Sequence, residues 1–115
     1  MKVGFITKKL NLSPDQATTF WPLYNEMTEK IDEKKKQLKD KPNNFQNMSE
    51  ADAKALILKR FEYEEEALRI KRDYFLKLAE KIGSPKVVKL RITENQFKRK
   101  LLKEMRNREG QRKNR

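Results

Sequence analysis

Along residues 14–38 the apolar side chains recur in steps of three and four: Ala17, Phe20, Tyr24, Met27 and Ile31, with Leu38 seven further on. That is the period of one face of an α-helix, with charged residues between. Glu26 with Lys30, and Asp32 with Lys36, stand as i,i+4 pairs on the wet side. The same rule runs through Ala53, Ile57, Phe61, Glu64, Leu68, Lys71, Phe75, Leu78 and Ile82. It runs again through Val87, Leu90, Phe97, Leu101 and Met105, interrupted by Glu94. A shorter stretch, KVGFITKKL, places Val3, Ile6 and Leu10 together, with Asn11 as a stop. The alternation expected of a strand is nearly absent; the pair Val87-Val88 is the one strand-like context, and a proline precedes it. The pattern predicts an all-α chain with helices over about 2–10, 14–39, 50–82 and 85–108, in one domain spanning 1–110.

The boundaries carry their own signals. Ser13 is a good N-cap, Pro14 suits the first helical position, and Gln16 stands where it closes a capping box. Asp15 favours the positive end of the helix dipole. Ser49 caps the third helix with Asp52 in the capping-box place, and Gly83 fits the residue that ends it. Ser84-Pro85 repeats the cap-then-proline device, and KDKPNNFQN at 39–47 reads as a loop. One residue breaks the scheme. Pro22, directly after Trp21, removes a backbone donor and crowds the preceding turn, at about 3 kcal/mol in a helix interior. The segment Phe20-Trp21-Pro22 is therefore expected to kink the second helix or divide it, with Phe20 in the core.

A helix over 50–82 is about 50 Å long, against a radius of gyration near 13 Å for a compact domain of similar size. The expectation is an elongated antiparallel hairpin with apolar surface to spare. Trp21, Leu23, Tyr63, Ile70, Tyr74 and Leu102 lie off the main stripes, and a second apolar face commonly meets a partner subunit, so a homodimer is expected.

Composition narrows the chemistry. The 115 residues contain neither His nor Cys, which removes disulfides, thiol chemistry and the usual imidazole or thiolate metal ligands. Three glycines form no phosphate loop, and Glu64-Glu65-Glu66 point different ways around a helix, so no catalytic residue, metal site or cofactor is expected and the chain does not read as an enzyme. No stretch approaches the roughly 20 apolar residues of a membrane span. The net charge is +12. Residues 96–115 hold nine Lys or Arg against Glu104 and Glu109, and 109–115 read as a frayed basic tail. Such a segment suits acidic partners.

Leu10-Asn11-Leu12-Ser13-Pro14-Asp15-Gln16, followed by a helix and a long hairpin, resembles the periplasmic Spy/CpxP family with its L-T-x-x-Q motif. Ser13 stands for Thr. The second copy the family carries falls at Gly83-Ser84-Pro85-Lys86-Val87, which keeps hydroxyl and proline but has lost leucine and glutamine; Ile92-Thr93-Glu94-Asn95-Gln96 lies inside the fourth helix and cannot cap it. The LNLSPDQ…FWPLYNE variant is similar to the branch described as sensors of extracytoplasmic-function sigma factors. The resemblance implies a cradle-shaped antiparallel dimer in the periplasm, an ATP-independent chaperone or envelope-stress adaptor. Its signal peptide would lie outside these residues; with no upstream signal the protein would be cytoplasmic. Leu12, Ser13, Gln16, Ser84 and Pro85 would then be helix caps. Partners would be unfolded or acidic proteins, or a membrane-bound stress-signalling protein. Metal sensing, known in relatives through His, Cys or Met clusters, is not expected of a chain without His or Cys.

Candidate contacts for such partners are Trp21, Phe61, Tyr74, Phe97 and Leu101, with Lys98, Arg99 and Lys100 for charge. Two other classes compete. The basic end has the charge for phosphate contacts, but its aromatics are not interleaved with the cations as a base-stacking platform requires. A partner-binding module at a membrane surface would use Lys98–Lys103 near anionic lipid.

Overall fold

The structure, a computed structural model, describes residues 2–38 and 47–113, the last three for the backbone alone. Most of the loop read at 39–47 and the last two residues of the tail lie outside the described residues. Among those described there are four helices and no strand: α1 (Lys2–Lys9), α2 (Pro14–Lys36), α3 (Glu50–Ile82) and α4 (Ser84–Lys113). The protein is all-α.

The ends are set by local chemistry. Asn11 adopts φ 51°, and Leu12 N–H and Asn11 N–H donate to the carbonyls of Thr7 and Lys8 at 3.1 Å each. This is a Schellman closure with Asn in the left-handed position. Ser13 and Ser49 each accept at Oγ from the backbone N–H three residues on, at 3.1 Å, and so cap α2 and α3 as expected. Gly83, at φ 93°, ends α3 through its N–H to Ala79 O, 2.9 Å, and its own carbonyl accepts from Val87 N. Gly83 therefore serves as both the stop of α3 and the N-cap of α4, since its missing Cβ tolerates the left-handed turn. The expected cap role of Ser84 is corrected: Ser84 is the first helical residue and Pro85 the second. The backbone of α4 continues as helix through Lys113, past the point at 109 where the basic tail is expected to begin.

Pro22 lies inside one continuous α2, so the alternative of two helices is excluded. Phe20 and Met27 on either side are fully buried. Each contributes about 1.5–3 kcal/mol, which together meets the proline's cost of about 3 kcal/mol. Thr18 and Thr19 donate their hydroxyls to the carbonyls of Pro14 and Asp15, at 2.8 and 2.9 Å, a back-bonding that often bends helices.

The chain divides into two compact units, 1–20 with 78–115 and 21–77. In the first, α1 packs along α4, antiparallel, with Phe5 beside Phe97 and Asn11 beside Lys86. Its buried side chains are Ile6, Leu10, Phe20, Leu78, Ile82, Val87, Leu90 and Thr93. Thr93 is 1% exposed and tolerates burial because its hydroxyl donates to Lys89 O at 2.7 Å. Val3 is exposed, not part of the α1 face that the spacing suggested. The second unit buries Tyr24, Met27 and Tyr74, with α2 and α3 antiparallel: Lys34 pairs with Glu66 at 2.9 Å, and Lys30 stands over the Tyr74 ring at 5.2 Å.

The buried face of α3 differs from the expected stripe. Leu78 and Ile82 are buried, but Ile57, Phe61 and Leu68 are 58, 58 and 60% exposed. Leu56, Tyr63, Ala67, Ile70 and Tyr74 turn inward instead, about a third of a turn around the helix. The two stripes are both apolar, and the tyrosines were the better indicators of the inner one, since each pairs a large apolar ring with a polar tip.

Candidate functional site

Three sets of residues invite a functional reading: the motif around Ser13, a groove on the first unit, and an exposed strip on the second. In the motif, Ser13 N–H donates to Gln16 Oε1 and Gln16 N–H to Ser13 Oγ, both at 3.1 Å, a closed capping box. Gln16 Oε1 accepts a second bond, from Lys86 Nζ at 2.7 Å, and the same ammonium donates to Asn11 O at 2.9 Å. Leu12 and Gln16 are half-buried. Lys86 thus ties the start of α4 to the turn between α1 and α2, across 70 residues of chain. The motif is a structural joint, and its chemistry is spent on neighbours.

The sequence assigns Lys86 no role of its own. Its sole signal was its place two residues after Ser84 in the second, degenerate motif copy. A Lys86→Met variant keeps the apolar stem and loses the ammonium. It is expected to destabilise the protein by about 1.5–2 kcal/mol, the lower part of the range for hydrogen bonds to charged groups because the site is partly wet. A lowered urea midpoint at unchanged m-value is the readout.

On the first unit, Gly4, Phe5 and Lys8 of α1 and Phe97, Lys100, Leu101 and Glu104 of α4 line an open groove of about 320 Å³. Phe5 and Phe97 lie with ring centroids 5.4 Å apart, tilted by 48°. The ammonium groups of Lys9 and Lys100 stand 5.7 and 5.5 Å from the Phe5 centroid. Positions 97, 100, 101 and 104 share one face of α4, so three of the expected contact residues, Phe97, Lys100 and Leu101, come together here. Lys98 and Arg99 are exposed and do not line the groove. Phe5 was not foreseen, because Val3 fitted the helical spacing better.

On the second unit, Trp21 is half-buried and meets Tyr24 edge-on at 5.5 Å. Tyr74, an expected contact residue, is corrected: it is core, 4% exposed, with Lys30 and Lys77 over its ring at 5.2 and 4.7 Å. Tyr74 also holds the Lys30 ammonium above its ordinary pKa, chiefly by hydrogen bonding. Glu66 is held below the usual carboxylate value, first by its bond to Lys34. Phe61 is open, and with Ile57 and Leu68 forms an apolar strip in steps of four and seven; Glu64 falls within it and Lys71 continues it.

Among the described residues no group of His, Cys, Asp or Glu is arranged to hold a metal ion, and no helix is long and apolar enough to cross a membrane. Comparison with protein-family models, with curated proteins and with solved structures found no match.

Proposed function

We propose that this protein is an ATP-independent chaperone or envelope-stress adaptor of the periplasm, holding unfolded or partner proteins on a basic, partly apolar surface. The observation that carries this reading is the outer part of α4. There Leu101, Leu102 and Met105 are 42, 47 and 59% exposed within the segment of highest positive charge. Apolar side chains between cations suit a protein that attracts acidic, unfolded chains at long range and then holds their exposed apolar groups through weak, dispersed contacts. Such contacts release without nucleotide. The resemblance to the Spy/CpxP family supports the same reading and supplies the periplasmic location.

The working unit in this proposal is a homodimer joined through α3. The strip of Ile57, Phe61, Leu68 and Phe75 follows the four–three spacing of a coiled-coil seam, with Glu64 and Lys71 inside it. Two antiparallel copies centred beside Leu68 set Glu64 of each opposite Lys71 of the other, a self-complementary pattern. A nucleic-acid surface has less support, since the basic segment carries one aromatic, Phe97, and no aromatics interleaved with its cations as a base-stacking platform requires.

The test is light scattering from a chemically denatured acidic protein diluted into this one without ATP. Suppressed aggregation at near-stoichiometric ratios is the expected result. Aggregation unchanged at every ratio rejects the chaperone reading.

A further inference from the structure

The α1–α4 groove is built unlike the rest of the basic surface. Its floor is aromatic and aliphatic, from Phe5, Phe97 and Leu101. Ammonium groups of Lys8, Lys9 and Lys100 stand around that floor, against the single carboxylate of Glu104. One lining residue brings no side chain to it. Gly4 lies inside α1, where glycine weakens a helix relative to alanine. A Cβ placed there would meet nothing within 4 Å, so packing does not require the glycine. What its missing side chain does leave is room in the groove it lines. At about 320 Å³ the space is at the small end of ligand sites, suited to one large side chain and not to a folded surface.

We infer that this groove is a recognition subsite for an acidic polypeptide segment, taking one aromatic or leucine side chain between Phe5, Phe97 and Leu101 while the flanking carboxylates pair with Lys8, Lys9 and Lys100. The inference rests on the chaperone-or-adaptor reading and names what that surface selects. Charge complementarity fixes the partner's sign, and the aromatic floor fixes its central side chain. The Phe5 and Phe97 rings, 5.4 Å apart and tilted by 48°, give that side chain aromatic neighbours of the kind aromatic groups prefer. Glu104, at one rim, disfavours a carboxylate on that side and so orients the segment.

The probe is a fluorescent nine-residue peptide with phenylalanine at its centre between glutamates, titrated against the full chain by anisotropy. Two control peptides carry serine for the phenylalanine, or glutamine for the glutamates. Each control is expected to bind about tenfold or more weakly, as the loss of one buried apolar side chain or its ion pairs implies. Gly4→Leu is the protein variant. It fills the groove and replaces a poor helix former, so its melting temperature is expected to equal or exceed that of the parent while peptide affinity falls about tenfold or more. Unchanged affinity in Gly4→Leu, or equal binding of all three peptides, overturns the inference. The light-scattering assay separates the two levels: a parent protein that suppresses aggregation but ignores the acidic phenylalanine peptide rejects the subsite alone. Peptide binding lost on Gly4→Leu without any suppression keeps the subsite and rejects the chaperone.

Discussion

Replacing Phe20 by alanine is expected to lower the free energy of unfolding by about 3–5 kcal/mol, the range for removing a fully buried phenylalanine. Domains of this size are stable by about 5–15 kcal/mol, so the variant stands near the edge of folding. The large value follows from position. Phe20 is wholly inaccessible and stands two residues before Pro22, in the turn whose backbone bond the proline removes. Its burial is one of the terms that offset the proline. The compensation makes a second outcome specific: Pro22→Ala in the Phe20→Ala background is expected to restore part of the loss, since the helix then recovers a donor. Urea unfolding of the two single variants and the double reads both effects. A loss below about 1 kcal/mol for Phe20→Ala would mean that α2 does not depend on this anchor.

Phe61→Glu is expected to convert a dimer into a monomer without unfolding the helix that carries it. In the parent, sedimentation should give twice the 13.8 kDa chain mass at micromolar concentration. In the variant, each copy carries an unpaired carboxylate into the apolar seam, set beside Phe75 of the other, and the dissociation constant should rise about a hundredfold or more. Phe61 is more than half exposed in the single chain, so helix content should hold. The self-complementary charges give an internal control. Glu64→Lys alone sets lysine opposite Lys71 and weakens the dimer, whereas adding Lys71→Glu restores the pairing. A parent chain that sediments as a monomer throughout, or a Phe61→Glu variant that still dimerises, contradicts the seam.

The helices were legible because their signals are local. Ser13 with Gln16, Ser49 with Asp52, and Gly83 each act within a few residues, and the structure closes each break where the spacing put it. What escaped was rotation. On α3 two apolar stripes compete, and only packing against α2 in the second unit, through Lys34–Glu66 and Lys30–Tyr74, selects the one holding Tyr63, Ile70 and Tyr74. On α1 the choice of Phe5 over Val3 depends on where Phe97 stands, 92 positions away in the chain. The candidate groove was half legible for the same reason. Phe97, Lys100 and Leu101 share a face by spacing alone, whereas Phe5, Lys8 and Gly4 join them through tertiary contact. Lys86 is the extreme case, since a lysine's reach leaves no periodic mark.

In the proposed mechanism charge draws a partner in and apolar contact keeps it. Its most direct test is the affinity for a permanently unfolded acidic polypeptide, measured by titration calorimetry as salt rises from about 0.05 to about 0.5 M, where screening shortens the reach of charge from tens of ångströms to a few. The expected result is a dissociation constant that rises with salt and then levels off at a finite value, with a negative heat-capacity change that persists at high salt. Binding that vanishes with salt would leave only charge attraction, and affinity indifferent to salt would leave the positive surface without a part in capture.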